Sequence, residues 1–259
     1  MNARPSPLTV TVVQAAPRAR DLVANLAHVM DTLGSISTDL LVYPELFLSG
    51  YQTRDLPDVG LTLEDPRVRS LATACAEHQT GLLVGFVETT TTGAYDAYLA
   101  IDRDGRILPP IRKTHLFGDE ASVFLRGESL TPIELCGVRV GVINCFEVEF
   151  PEVARTLAIR GAEILIAGSA NMHPYEADHR IATRARALEN RLPLAYANRV
   201  GAESGHDFCG ASRLIDANGH ILGQLDTDET GVLTATFSVG ALPTPETDML
   251  AQRMPDLYA

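Results

Sequence analysis

The strongest constraint on this chain is its alternation of short apolar runs with amphipathic segments, each run closed by a turn signal. Leu8 to Ala16 (LTVTVVQAA) is β-branched and apolar, and Pro17 ends it. Asp21 to Ile36 follows, with Leu22, Leu26, Val29 and Leu33 spaced four, three and four apart, which predicts an amphipathic helix. Asp39 to Val42 reads as a short buried strand. Asp65 to His78 reads as a helix with Asp65 as its cap and Pro66 at its first position. Gly81 to Glu88 and Tyr95 to Asp102 read as paired strands, and Asp104-Gly105 turns into an extended stretch from Ile107 to Lys113. The second half repeats the alternation. Strands are predicted over Gly137–Asn144, Glu163–Ala167 and Pro193–Arg199, and helices over Pro151–Arg160 and Glu176–Glu189. Strands then dominate, over Ala211–Asp216, His220–Leu225 and Val232–Phe237. Runs apolar on both faces need cover on both faces, so the pattern predicts sheets packed on each other and on outer helices. No Pro/Gly/Ser linker or composition break divides residues 1–259, so a single domain is expected.

Composition narrows the partners. Of 259 residues, 46% are hydrophobic and 21% charged, which fits a folded chain. Acidic side chains outnumber basic ones by 33 to 21, and the net charge of −12, with no Lys/Arg cluster, argues against a nucleic-acid surface. No window approaches the ~18 apolar residues of a membrane span, and Met1 to Leu8 has no apolar signal region. The cysteines Cys75, Cys136, Cys145 and Cys209 are widely spaced, with no CxxC pair. They predict neither a zinc site nor a disulfide framework, and fit a cytoplasmic chain with reduced thiols. No nucleotide motif or HExxH is present, so no cofactor or metal is expected.

Three polar residues stand at the ends of apolar runs, where α/β folds commonly build their sites. Glu45, in VYPELFLSGY, follows a buried strand and Pro44. Partial burial would make it a base, although a capping or surface glutamate has the same spacing. Lys113, in RKTHLFGDE, can stabilise an oxyanion or hold a nearby thiolate, or simply be a solvated strand-end lysine. Cys145, in GVINCFEVEFPEVAR, sits at a strand-to-turn elbow that can expose a nucleophile, or is an ordinary buried cysteine.

Taken in the order Glu, Lys, Cys, these segments resemble the nitrilase superfamily of carbon–nitrogen hydrolases. The likeness extends over nearly the whole chain, through VVQAAP (Val12 to Pro17), GAEILIAGSANM (Gly161 to Met172), RARALENRLPLAYANRVG (Arg184 to Gly201) and CGASRLIDANG (Cys209 to Gly219). The resemblance implies an α/β fold, a four-layer α-β-β-α sandwich that pairs into a homodimer or higher homo-oligomer. It implies Glu45 as general base, Lys113 as oxyanion-stabilising lysine and Cys145 as nucleophile, with the N–H of Phe146 as a second oxyanion donor. A further glutamate is usual in the loop after the lysine. Glu120 matches best by its distance from Gly127, with Asp119 and Glu128 competing. Asn171, Met172 and His173 are candidate substrate-binding residues, although a loop histidine such as His173 is more often an ordinary polar surface residue.

The departures matter. Where the family often has Cys-Tyr-Asp, this chain has Cys145-Phe146-Glu147. Nitrilases show Cys-Trp-Glu, and carbamoylase-like branches carry an arginine where Glu149 or Phe150 stands. HLFGDE (His115 to Glu120) and SANMHPY (Ser169 to Tyr175) look most like the amidase branches. The expected activity is therefore hydrolysis of a small carboxamide. A nitrilase, an N-acyltransferase and a non-catalytic family member are the alternatives. Glu147 and Glu149 in the nucleophile turn predict a preference for neutral or cationic amides, unless Arg155 or Arg186 neutralises them. Arg184, Arg186 and Glu189 read as ion-pairing scaffold.

Overall fold

The computed structural model describes residues 6–241 and 243–258. The first half comprises β1 (Ser6–Gln14), α1 (Leu22–Ser35), β2 (Leu40–Val42), β3 (Gly60–Leu61), α2 (Pro66–His78), β4 (Gly81–Thr89), β5 (Ala94–Ile101) and β6 (Ile111–Arg112). The second comprises β7 (Ile133–Leu135), β8 (Val138–Asn144), α3 (Pro151–Ile159), β9 (Ile164–Ser169), α4 (Glu176–Asn190) and β10 (Leu194–Asn198). β11 (Val200–Glu203), β12 (His206–Cys209), β13 (Arg213–Ile215), β14 (Ile221–Gln224) and β15 (Gly231–Val239) complete it.

Two sheets result. The first has the order β15-β1-β2-β4-β5-β6, with β3 on β4, and the second the order β14-β13-β10-β9-β8-β7. β15 returns to pair antiparallel with β1 from Ser6↔Val239 to Gln14↔Gly231, which ties the end of the chain into the first sheet.

Side-chain alternation along each strand creates the layers. Val10, Val12, Leu40, Val42 and Leu83 point inward, against Val140, Val142, Ile164, Ile166, Ala195 and Ala197 of the second sheet. The neighbouring residues Val13, Leu41, Leu82 and Val84 point outward and pack with Leu22, Leu26, Val29 and Leu33 of α1 and with Val68 and Leu71 of α2. Ile143, Leu165, Ala167 and Tyr196 meet Val153 and Leu157 of α3 and Ala182 and Ala187 of α4. The architecture is an α-β-β-α sandwich, as expected. Local chemistry sets the helix starts. Asp21 accepts from Ala24 N at 3.0 Å, and Asp65 accepts from Arg67 N at 2.8 Å, just before Pro66.

One expectation needs correction, and one element was missed. The extended stretch Ile107–Lys113 pairs over Ile111–Arg112, with a lone bridge at Ile107, because Pro109 and Pro110 supply no ladder donors. The β11–β12 hairpin was not anticipated. Its turn residues Ser204 and Gly205 both have left-handed backbones, φ 54° and 84°, as a tight hairpin requires. The strand-to-turn elbow expected at Cys145 takes the form of a 3₁₀ turn, Cys145–Glu149.

Candidate active site

Glu45, Lys113 and Cys145 arrive from three different strand ends. Glu45 follows β2, and its turn packs on β4. Gly85 N donates to Pro44 O at 3.2 Å and Leu48 N to Gly85 O at 3.0 Å. A methyl group on Gly85 would collide with the backbone of Pro44, Glu45 and Leu46, so glycine is what lets this turn sit against the sheet. Leu46 is itself left-handed, φ 49°. Lys113 follows β6, held by its N–H to Asp96 O at 2.9 Å and by Gly127 N to its carbonyl at 2.8 Å. Cys145 follows β8 directly, in a left-handed conformation, φ 45°, which costs a non-glycine residue of order 1 kcal/mol or more. Such an elbow turns the thiol out of the strand.

The three meet below the rim of the sheets. Lys113 Nζ lies 2.5 Å from Glu45 Oε1, 2.8 Å from Glu120 Oε2 and 3.4 Å from Asp96 Oδ2, and all four side chains are buried. Glu45 was expected to be part-buried and is fully enclosed. Its second oxygen accepts from Ala170 N at 3.1 Å. Ser169 Oγ donates to Cys145 Sγ at 3.2 Å, so consecutive residues at the end of β9 touch the thiol and the glutamate. Of the candidates for the second glutamate, Glu120 contacts the lysine, and its Oε2 also accepts from Phe117 N at 2.8 Å, while Asp119 and Glu128 are exposed.

Burial pulls the Lys113 ammonium down, but Glu45, Glu120 and Asp96 outweigh it and hold the group charged, well above its ordinary range. Burial, then Glu45, pushes Asp96 well above the usual carboxylate range. Burial likewise raises Glu120. The idea that Lys113 keeps Cys145 as a thiolate is corrected. Burial first and Glu45 second push the thiol well above its usual range, and the opposing pull of Lys113 is smaller. The resting group is a thiol that must lose its proton during attack. One oxygen each of Glu45, Asp96 and Glu120 lie within 4.8 Å of one another, a spacing that would also suit a metal ion, but the Lys113 ammonium already fills the position between them.

Above this cluster lies a small cavity that opens to solvent. Cys145 and Glu120 reach it from below, and Tyr51, Phe117, Phe146 and Tyr175 supply aromatic walls. Asn171 and Met172 line it as expected. His173 does not. Its ring is about half exposed, and its Nδ1 lies 3.1 Å from Glu176 Oε2, a partner in the first turn of α4 that draws it outward. Phe146 N belongs to the first turn of the 3₁₀ segment, where N–H groups have no intrahelical acceptor.

The glutamates of the nucleophile turn separate. Glu147 is buried and structural. It accepts from Asn144 N at 2.8 Å and from Thr114 N at 2.6 Å, linking the cysteine turn to the residue after Lys113. Glu149 lines the cavity, with its carboxylate 3.4 Å from Nε2 of His179. Neither arginine proposed to neutralise these glutamates does so. Arg155 donates to Glu189 O, and Arg186 donates to the backbone carbonyls of Val148 and Glu149 at 2.9 and 2.8 Å. Arg186 also pairs with Glu189 at 3.0 Å, as the scaffold reading held.

Sequence reasoning missed Asp96, Tyr51 and Ser169. Asp96 carried the one usable signal, a charged residue in the middle of the apolar strand AYDAYLAI. Tyr51 donates to Glu120 Oε1 at 2.7 Å.

The family model of carbon-nitrogen hydrolases matches residues 9–242, and the chain belongs to that family. It is 36% identical to "Hydrolase in pqqF 5'region" of Pseudomonas protegens, over 97% of this chain and 90% of that protein. It is also 36% identical to an (R)-stereoselective amidase of Pseudomonas sp., over 86% of this chain and 82% of that protein. Among solved structures it resembles a Glu-to-Gln mutant of an amidase from Nesterenkonia sp. AN1, whose active-site cysteine carries the acetamide moiety of fluoroacetamide. The TM-score is 0.84 at 27% identity, over 99% of this chain and 97% of that one.

Proposed function

We propose that this chain hydrolyses the C–N bond of a small carboxamide to a carboxylic acid and ammonia. The observation that carries the reading is the buried Glu45–Lys113–Glu120 cluster set beside a thiol on a left-handed elbow, under a small cavity. The Pseudomonas amidase and the Nesterenkonia amidase support it.

An amide is a poor electrophile with a poor leaving group, so splitting its hydrolysis through a covalent intermediate lowers each barrier. Glu45 takes the Cys145 proton as sulfur attacks the carbonyl carbon. The oxyanion is stabilised by Lys113 and the N–H of Phe146. Glu45 returns the proton to the nitrogen, the C–N bond breaks, and ammonia leaves a thioester. Glu45 then deprotonates a water, which attacks the thioester, and sulfur departs as the thiol. Glu120, with Tyr51 on its other side, positions the lysine. Asn171 and Met172 contact the substrate. No cofactor or metal takes part in these steps.

The whole chain, 1–259, acts as one carbon–nitrogen hydrolase domain. It forms a homodimer, a reading supported by exposed Ile159 on α3 and by Ile181 and Leu188 on one face of α4. A cytoplasmic location is supported by the free thiols of Cys75, Cys136, Cys145 and Cys209. No helix among the described residues is long and apolar enough to cross a membrane.

The test is ammonia release from a panel of small carboxamides and the matching nitriles, run beside Cys145→Ala. Release from amides, lost in the variant, is expected. Release from nitriles alone would make the chain a nitrilase. That outcome has its own support in a 31% identical relative of Schizosaccharomyces pombe named a probable nitrilase.

A further inference from the structure

The cavity over Cys145 is electrostatically one-sided. Glu149 and Glu120 line it, and among the described residues around it there is no lysine or arginine. Lys113 lies behind Glu120 with zero exposure, already shared among three carboxylates. Glu149 differs from the other acids here. Its side chain keeps 31% exposure, and its nearest ion-pairing group is the ring of His179. That ring is committed on its other side, where Nδ1 lies 2.9 Å from Tyr196 Oη. With Nδ1 taken up by Tyr196, Nε2 is left 3.4 Å from the Glu149 carboxylate, longer than a good N–H···O hydrogen bond, so the ring holds Glu149 only loosely. The nearest arginine, Arg186, spends its donors on the Val148 and Glu149 carbonyls and on Glu189.

The remaining walls suit a cation. Phe117 stands edge-to-face against Phe146, centroids 5.3 Å apart, and against Tyr175, centroids 5.7 Å apart. The face of an aromatic ring beside a carboxylate attracts an ammonium group. A substrate carboxylate would instead enter a low-dielectric space between Glu149 and Glu120, where like charges cost most.

We propose that the preferred substrates are small amides that carry an ammonium group one or two carbons from the carboxamide, and that Glu149 is the residue that selects them. The scissile carbonyl lies over Cys145, and the ammonium lies between the Glu149 carboxylate and the aromatic wall. The inference rests on the amide-hydrolase reading and narrows it to a substrate class.

The experiment compares three amides of similar size: 3-aminopropanamide, butanamide and succinamate, which end in an ammonium, a methyl and a carboxylate. In the wild-type protein kcat/KM should fall in that order, with about a two- to fivefold step from the first to the second, as a partly exposed ion pair allows. Glu149→Gln should bring the ratio of the first two close to one. Raising the pH through the substrate's own amine pKa should do the same in the wild-type protein. Butanamide equal to or better than 3-aminopropanamide, or a ratio unchanged in Glu149→Gln, would overturn the inference while leaving amide hydrolysis standing. Hydrolysis of none of the three would overturn both readings.

Discussion

Asp96→Asn probes the buried cluster most sharply. Asp96 sits fully buried in β5, with Lys113 Nζ 3.4 Å from Oδ2 and Asn144 Nδ2 donating to Oδ1 at 3.0 Å. Oδ2 has no hydrogen-bond donor of its own. Three ionised carboxylates around one ammonium would leave two uncompensated charges out of water, at several kcal/mol each. Burial, then Glu45, raises Asp96, so it keeps its proton to higher pH in the folded protein than in the unfolded chain. The unfolded chain has a carboxyl near its ordinary value of 3.8. Between that value and the raised one the native state binds more protons than the unfolded state, so stability is lost as pH rises through the window. Asn cannot ionise, so Asp96→Asn removes this loss. Its stability relative to wild type should therefore climb by about 1.4 kcal/mol per pH unit above pH ~4, until the native carboxyl ionises. Urea denaturation of both proteins at pH 5, 6 and 7 measures the climb. A difference that does not change with pH would mean that Asp96 is ionised in the folded protein and would refute the reasoning.

Other perturbations separate scaffold from chemistry. Glu120→Gln should lower kcat by about tenfold or more with an unchanged melting temperature, since it weakens the hold on Lys113 without opening a cavity; near-wild-type turnover would remove its role. Arg186→Met leaves the carbonyls of Val148 and Glu149 without their donors, at about 1–3 kcal/mol per group, and should lower both stability and kcat as the nucleophile turn loosens. Gly85→Ala should destabilise by about 1–3 kcal/mol and depress turnover, because the methyl drives into the Glu45 turn; chemical denaturation and an amide assay read the two effects.

The layered fold was legible because both of its periodicities lie in the chain. α1 buries Leu22, Leu26, Val29 and Leu33, the residues spaced four, three and four apart, and the strands bury the apolar runs. Hairpin detail was less legible where the turn residue was not a familiar one, as with Ser204 before Gly205. In the site, residues at strand ends could be picked out, since a polar residue closing an apolar run is unusual in one dimension. Asp96 and Glu147 could not be assigned roles, because their partners lie far away in sequence. Glu147 reaches Thr114, and Asp96 reaches Lys113 and Asn144. His173 was misplaced for the related reason that a loop position does not say which way a ring turns, and Glu176 decided it. The thiolate expectation failed because sequence order puts a lysine near a cysteine but does not weigh burial and Glu45 against it.

The central claim is that one sulfur of four is the nucleophile. Cys75, Cys136 and Cys209 are buried, and burial raises them to about 12, 12 and 11, while Cys145 alone among the four lines the cavity. The direct measurement is peptide mass spectrometry after brief exposure of the native protein to a haloacetamide, an electrophile shaped like a small amide, with residual ammonia release followed in the same samples. The account predicts a single adduct on Cys145, formed in step with the loss of activity, and no adduct or amide turnover in a folded Cys145→Ala protein. Equal labelling of all four cysteines, or ammonia release that survives Cys145→Ala, would contradict it.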